Sequence, residues 1–177
     1  MIQRPTIGTI VYDDADGPRV DSILAEVVCE LRRSGVRLAG AVQHNSDGGD
    51  RSCCDMRLED LGTGRLIEIS ERRGPEARGC RLNHLALEDA VGLATASIEA
   101  GADLLIVNKF GKREADGRGF LPLVGMAIER STAVLIAVSA SNIAAWNDFA
   151  AGLDERLPVD MEAARNWCRS LAPEEVL

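Results

Sequence analysis

Four short apolar runs constrain the architecture: Thr6 to Tyr12 (TIGTIVY), Arg37 to Gln43 (RLAGAVQ), Leu104 to Phe110 (LLIVNKF) and Ala133 to Ser139 (AVLIAVS). Each has the length of a strand, and their near-continuous apolar character is that of strands covered on both faces. Helical periodicity fills much of the chain between them. Val20, Ile23, Leu24, Val27, Val28 and Leu31 recur at the spacing of one helix face from Val20 to Ser34, and Gly35 supplies a stop. Leu85 to Ala100, Leu121 to Arg130, Asn142 to Ala151 and Met161 to Leu171 predict further helices. Strand, helix, strand within about 40 residues is a βαβ unit, which crosses over right-handed.

One stretch departs from this rhythm. CCDMRLEDL and RLIEISERR alternate polar and apolar residues on either side of Gly62-Thr63-Gly64. The pattern predicts an antiparallel hairpin at about 53–73, inserted at the sheet edge. Pro158 and Val159 predict a short edge strand. The expected fold class is therefore α/β: one three-layer domain over residues 1–177, with a mainly parallel open sheet. Aromatic residues make up only 3% of the chain, so Leu, Ile, Val and Ala must build the core.

The formal charge of −8 argues against sequence-independent binding to nucleic acid or to acidic membranes. No apolar stretch approaches the roughly 18 residues that suggest a membrane span. The first residues, MIQRPTIGTIVYDD, lack the pattern of a signal peptide. Five cysteines, an odd number without a regular framework, predict reduced thiols and a cytoplasmic location.

Ligands of open α/β sheets sit beyond the carboxyl ends of the strands. The loops meeting there begin at Asp13, His44, Asn108 and Ser139. The first, YDDADGPR, has the place and length of a phosphate loop of the pattern G-x-x-x-x-G-K-[ST]. Gly17 falls on its second glycine. Tyr12 stands at the first, Pro18 at the lysine and Arg19 at the hydroxyl residue. Asp13, Asp14 and Asp16 would repel a triphosphate, at about 1 to 4 kcal/mol for each unscreened contact.

The loop after Val107 carries the stronger signal. Asn108 occupies the position where a nucleotide-hydrolysing strand ends in a magnesium-binding carboxylate. Lys109, Lys112, Arg113 and Arg118 bring cationic charge, and Gly111, Gly117 and Gly119 permit close backbone approach. Such a loop suits an oxyanion, phosphate or nucleotide. The competing reading is a solvated loop whose charges pair with Glu114, Asp116 and the first-loop aspartates. Cys53 or Cys54 with Cys80 and His84 has the thiolate and imidazole chemistry of a zinc or soft-metal site. Adjacent cysteines in a strand face opposite ways, however, and buried thiols without a metal are the alternative.

The segments VY-DDADG, RLAGAVQ, CDMRLEDLGTG, GCRLN, GADLLIVNKFGKREADGRGF and SNIAAWNDFAAG together resemble a bacterial family of unassigned function, over most of the chain. Its members are often encoded beside molybdate-transport genes and are sometimes named as molybdenum transporter ATP-binding proteins. More distantly, the order of elements is similar to P-loop nucleoside-triphosphatases related to nucleotide kinases. There the strand ends in an acidic D-E-x-G-like motif where this chain has Asn108-Lys109-Phe110-Gly111. The resemblance implies a P-loop-NTPase-like accessory or binding protein without hydrolysis. Its ligand would be molybdate, tungstate or a molybdenum-cofactor species, and its protein partner another copy or a molybdenum-pathway protein. Two alternatives stand beside it: an active nucleotide-dependent enzyme using Lys109, Lys112 or Arg19 in place of the missing lysine, and a pure interaction module.

Overall fold

The computed structural model describes residues 6–46, 55–71 and 81–171. Its main sheet has seven strands, in the order β4 (Leu66–Glu68), β3 (Asp55–Asp60), β2 (Leu38–Ser46), β7 (Leu104–Phe110), β8 (Ala133–Ser139), β1 (Ile7–Tyr12) and β9 (Asp154–Leu157). The four apolar runs form its contiguous parallel centre: β2 (Leu38–Ser46), β7 (Leu104–Phe110), β8 (Ala133–Ser139) and β1 (Ile7–Tyr12). All seven residues of β8 are buried, which is why that run carries no alternation. The expected hairpin is present at one edge as β3 (Asp55–Asp60) and β4 (Leu66–Glu68), antiparallel to each other, with β3 also antiparallel to β2. Asp60 closes its turn by accepting from Thr63 N and Oγ1 at 2.9 and 2.7 Å. Two further short strands, β5 (Ser70–Glu71) and β6 (Arg81–Leu82), pair separately.

Helices cover both faces. On one side lie α1 (Gly17–Arg33) and α6 (Met161–Ser170), packing Val20, Leu24, Val27, Ala164 and Trp167 onto Ile10, Leu135 and Ile106. On the other lie α2 (His84–Glu99), α4 (Leu121–Glu129) and α5 (Ile143–Ala150). They pack Leu87, Ala94, Val124 and Trp146 onto Val107, Ile136 and Phe110. A four-residue helix, α3 (Lys112–Ala115), falls in the charged loop. Phe110 and Trp146 meet edge to face with ring centroids 5.4 Å apart.

The expected edge strand lies earlier than Pro158 and Val159. It is β9 (Asp154–Leu157), parallel to β1 with Ile7 opposite Asp154. Pro158 has no N–H to give a ladder, so pairing stops before it. Among the described residues no helix is long and apolar enough to cross a membrane.

One close approach shapes the centre. Gly40 in β2 adopts φ +103, and a Cβ there would stand 1.9 Å from the carbonyl oxygen of Ile106 in β7. The absence of a side chain lets β2 lie against β7 just before both strands reach the functional edge.

Candidate functional site

At the carboxyl edge, β7 departs from regular pairing. Its register with β8 shifts between Val107 and Phe110, so Asn108 and Lys109 sit in an irregular segment. Such an irregularity re-aims side chains that a flat strand would send to opposite faces. Both reach Asp21, in the second turn of α1. Asn108 Nδ2 donates to Asp21 Oδ1 at 2.7 Å, and Lys109 Nζ lies 3.4 Å from both Asp21 oxygens. Asn108 Oδ1 in turn accepts from Gln43 N in β2 at 2.8 Å. One buried amide thus joins β2, β7 and α1.

The first loop comes to the same place. Residues 14–16 make one 3-10 turn, closed by Asp16 N donating to Asp13 O at 2.8 Å, and α1 begins at Gly17. A Cβ on Gly17 would lie 4.0 Å from Lys109 Nζ and 4.0 Å from the Tyr12 ring. Pro18 sits in the first turn of α1, where its fixed φ suits the helix and its missing N–H leaves one fewer donor for an anion. Asp13, Asp14 and Arg19 are exposed and Asp16 is half-buried. Burial, then Asp21 and Asp14, pushes the Tyr12 phenol up to about 12.

Glu114 organises the loop after β7. It is buried, accepts from Gly111 N at 3.0 Å through Oε2 and from Phe120 N at 3.3 Å through Oε1, and so pins both ends of the segment. Burial raises its carboxyl above the usual range, with the backbone donors and Arg113 opposing. Gly119 is at φ +60, and a Cβ there would stand 2.4 Å from Glu114 Oε1. Arg113 donates from Nη2 to Glu88 Oε1 and from Nη1 to His84 Nδ1, each at 3.2 Å, which binds the loop to α2. Lys112 is exposed and makes no ion pair among the described residues.

Asn108, Lys109, Gly111, Lys112 and Arg113 all line one cavity of about 180 Å³. Its deeper wall is apolar, made by Ala41, Leu58, Ile69, Leu82, Leu87, Val107 and Phe120 from the α2 face of the sheet. Gly17 reaches this group only through Lys109. Arg118 is exposed beside a second cavity, formed with α2 and α4. Cys53, Cys54 and Cys80 lie outside the described residues, and no group of three or more potential ligands forms among the described residues. His44 stands in β2 with Nε2 3.6 Å from Glu59 Oε1.

Sequence reasoning did not single out Asp21 or Glu88, and it took Glu114 only as a charge partner for nearby cations. Asp21 had one visible signal: it follows Gly17 by one helical turn, where an acidic side chain can reach back to the strand ends.

Three comparisons place the chain. Its fold matches the crystal structure of THEP1 from the hyperthermophile Aquifex aeolicus with a TM-score of 0.57, covering 88% of this chain and 89% of that one at 14% identity. The seven-stranded sheet is thus P-loop-NTPase-like. A protein of Bradyrhizobium diazoefficiens named Molybdenum import ATP-binding protein ModC 2 is 34% identical over 163 residues, 92% of this chain. The chain spans only 18% of that relative's length. Residues 7–167, which take in the whole seven-stranded sheet, match the family described as "Protein of unknown function (DUF2478)", and the chain belongs to that family.

Proposed function

We propose that this domain is a binding or accessory protein that takes an anionic ligand on a P-loop-NTPase-like frame without turning over nucleotides, and that it serves molybdenum handling. The observation that carries the reading is the engagement of Asn108 and Lys109 with Asp21. Phosphoryl transfer on this kind of frame needs a carboxylate for magnesium and a lysine on the phosphates. Here the strand-end residue is a neutral amide whose two ends are already bonded, and the nearest ammonium faces a carboxylate. Pro18 and the three aspartates of the first loop also make a poor cradle for a triphosphate.

Support for an anion comes from Lys112 and Arg113, gathered at one cavity mouth in a chain of net charge −8. Molybdate, tungstate or a molybdenum-cofactor species are the ligands suggested by association. A relative with this domain in the same polypeptide is named for molybdenum import. The test is calorimetry of the intact protein against molybdate, tungstate, ATP and GTP, alongside a magnesium-dependent hydrolysis assay. Anion binding with no hydrolysis is expected. Turnover at ordinary NTPase rates, abolished by Asn108→Ala, would sink the reading. So would the absence of binding by any anion, which would favour a protein-interaction module.

A further inference from the structure

We infer that the cavity between β2, β7, β3 and α2 selects a cyclic organic anion: one ring-sized apolar body bearing a phosphate or carboxylate. The inference rests on the anion-binding reading and sharpens it. Size is the first argument. An apolar cavity of about 150 Å³ takes a benzene ring, whereas sites that enclose drug-sized ligands run to about 300 Å³ and more. At about 180 Å³ this one has room for a ring system and falls below the size that encloses a drug-sized ligand.

Chemistry is the second argument. The deep wall is Leu58, Ile69, Leu87, Val107 and Phe120, with Ala41 as its small member. A bare tetrahedral oxyanion can be held by the cationic mouth, but pushed against this wall it would surrender its hydration and receive no hydrogen bond in return. At the mouth the lining changes to Lys112 and Arg113. Glu114 shares that mouth but spends its oxygens on Gly111 N and Phe120 N. Arg113 is held in place by Glu88 and His84, and Lys112 has no ion pair among the described residues. The apolar depth and cationic mouth therefore fit the two ends of one molecule. Ala41 sets how much room the ring has, and Lys112 is the group that takes the charge.

Four probes separate the parts: phenyl phosphate, benzoate, inorganic phosphate and benzyl alcohol, each titrated into the intact protein by calorimetry and followed by saturation-transfer NMR. At least one ring-bearing anion should bind tenfold or more tighter than both inorganic phosphate and benzyl alcohol. The phosphate and carboxylate arms show which head group is preferred. Lys112→Glu, at an exposed position, should weaken the ring-bearing anions at least fivefold without changing Tm. Ala41→Leu should remove the advantage of the ring-bearing anions over inorganic phosphate. Where that variant does not fold, ring-current shifts at the methyl groups of Leu58, Ile69 and Leu87 in the unmodified protein carry the same test. Affinity for both phenyl phosphate and benzoate no better than for inorganic phosphate, or no shift at those methyls, overturns the inference while the anion-binding function stands. Failure of molybdate, tungstate and all four probes to bind overturns both.

Discussion

Replacing Asn108 by aspartate tests whether the strand-end amide is a structural bridge or a vacant magnesium position. The carboxylate of Asn108→Asp would keep an acceptor for Gln43 N but would turn an acceptor toward Asp21, where the native amide donates at 2.7 Å. A hydrogen bond to a charged group, worth about 1.5–3 kcal/mol, is lost. Two like charges roughly 3 Å apart, at an effective dielectric constant of about 20, repel by about 5 kcal/mol. Lys109, 3.4 Å from Asp21, offsets part of this. Taking up a proton limits the rest: a rise of about two to three units in the introduced carboxyl corresponds to about 3–4 kcal/mol at neutral pH. Because that carboxyl is raised in the folded state, the deficit is smallest at acid pH and grows as pH rises through its raised value. Urea denaturation of both proteins should give a difference of about 3–4 kcal/mol at neutral pH, falling to about 1–2 kcal/mol at about pH 5. A variant as stable as the native protein at both pH values would show that the bridge carries no weight. Magnesium-dependent hydrolysis gained by the same variant would mean that the nucleotide machinery lacks only this one carboxylate.

Gly8 in β1 lies under Trp167 of α6, and a Cβ would stand 2.7–2.9 Å from three ring atoms, so Gly8→Ala should cost about 1–3 kcal/mol in urea unfolding and shift tryptophan emission. Burial raises the Glu114 carboxyl above its ordinary 4.5, so the stability linked to its protonated form is full below about 4.5 and is lost as pH rises through the raised value. Glu114→Gln should flatten the urea midpoint against pH in that window; an unchanged slope would show that the carboxyl does not titrate there. Asp103 accepts from the Arg37 side chain and from Arg37 N, which hold its carboxyl below 3.8. That contribution is present above about 3.8 and is lost as pH falls through the lowered value, so Asp103→Asn should give a shallower acid limb in the same measurement.

The central sheet was readable because β1, β7 and β8 are buried along nearly their whole length and are built mostly of apolar residues. The edge strand β9 was not, since three of the four residues in Asp-Glu-Arg-Leu are charged and read as loop. Its Asp154 accepts from Trp146 Nε1 of α5 at 3.1 Å and pairs with Arg156 Nε of the same strand at 2.8 Å. In the site, the cationic loop was evident from composition, but its internal wiring was not. Lys109 pairs with Asp21, 88 residues earlier in the chain, rather than with the first-loop aspartates. Glu114 neutralises no lysine; it serves backbone amides within its own loop. Local charge patterning does not encode where a register shift turns a side chain, and β7 makes that turn at Asn108.

The strand order also bears on how the chain acquires its structure during synthesis. β1 is made first, yet its two neighbours are β8 and β9, with Ile7 opposite both Val134 and Asp154. Until the ribosome has released residue 139, the first strand has no ladder partner, and α1 has only the unpaired β1 and the strands β2 and β7 on which to lay its apolar face. Long-range parallel pairings of this kind are slow to close and leave apolar segments open to aggregation meanwhile. A nascent chain stalled before β8 should be cut readily by protease and captured by chaperones, while one stalled after β9 has emerged should resist both.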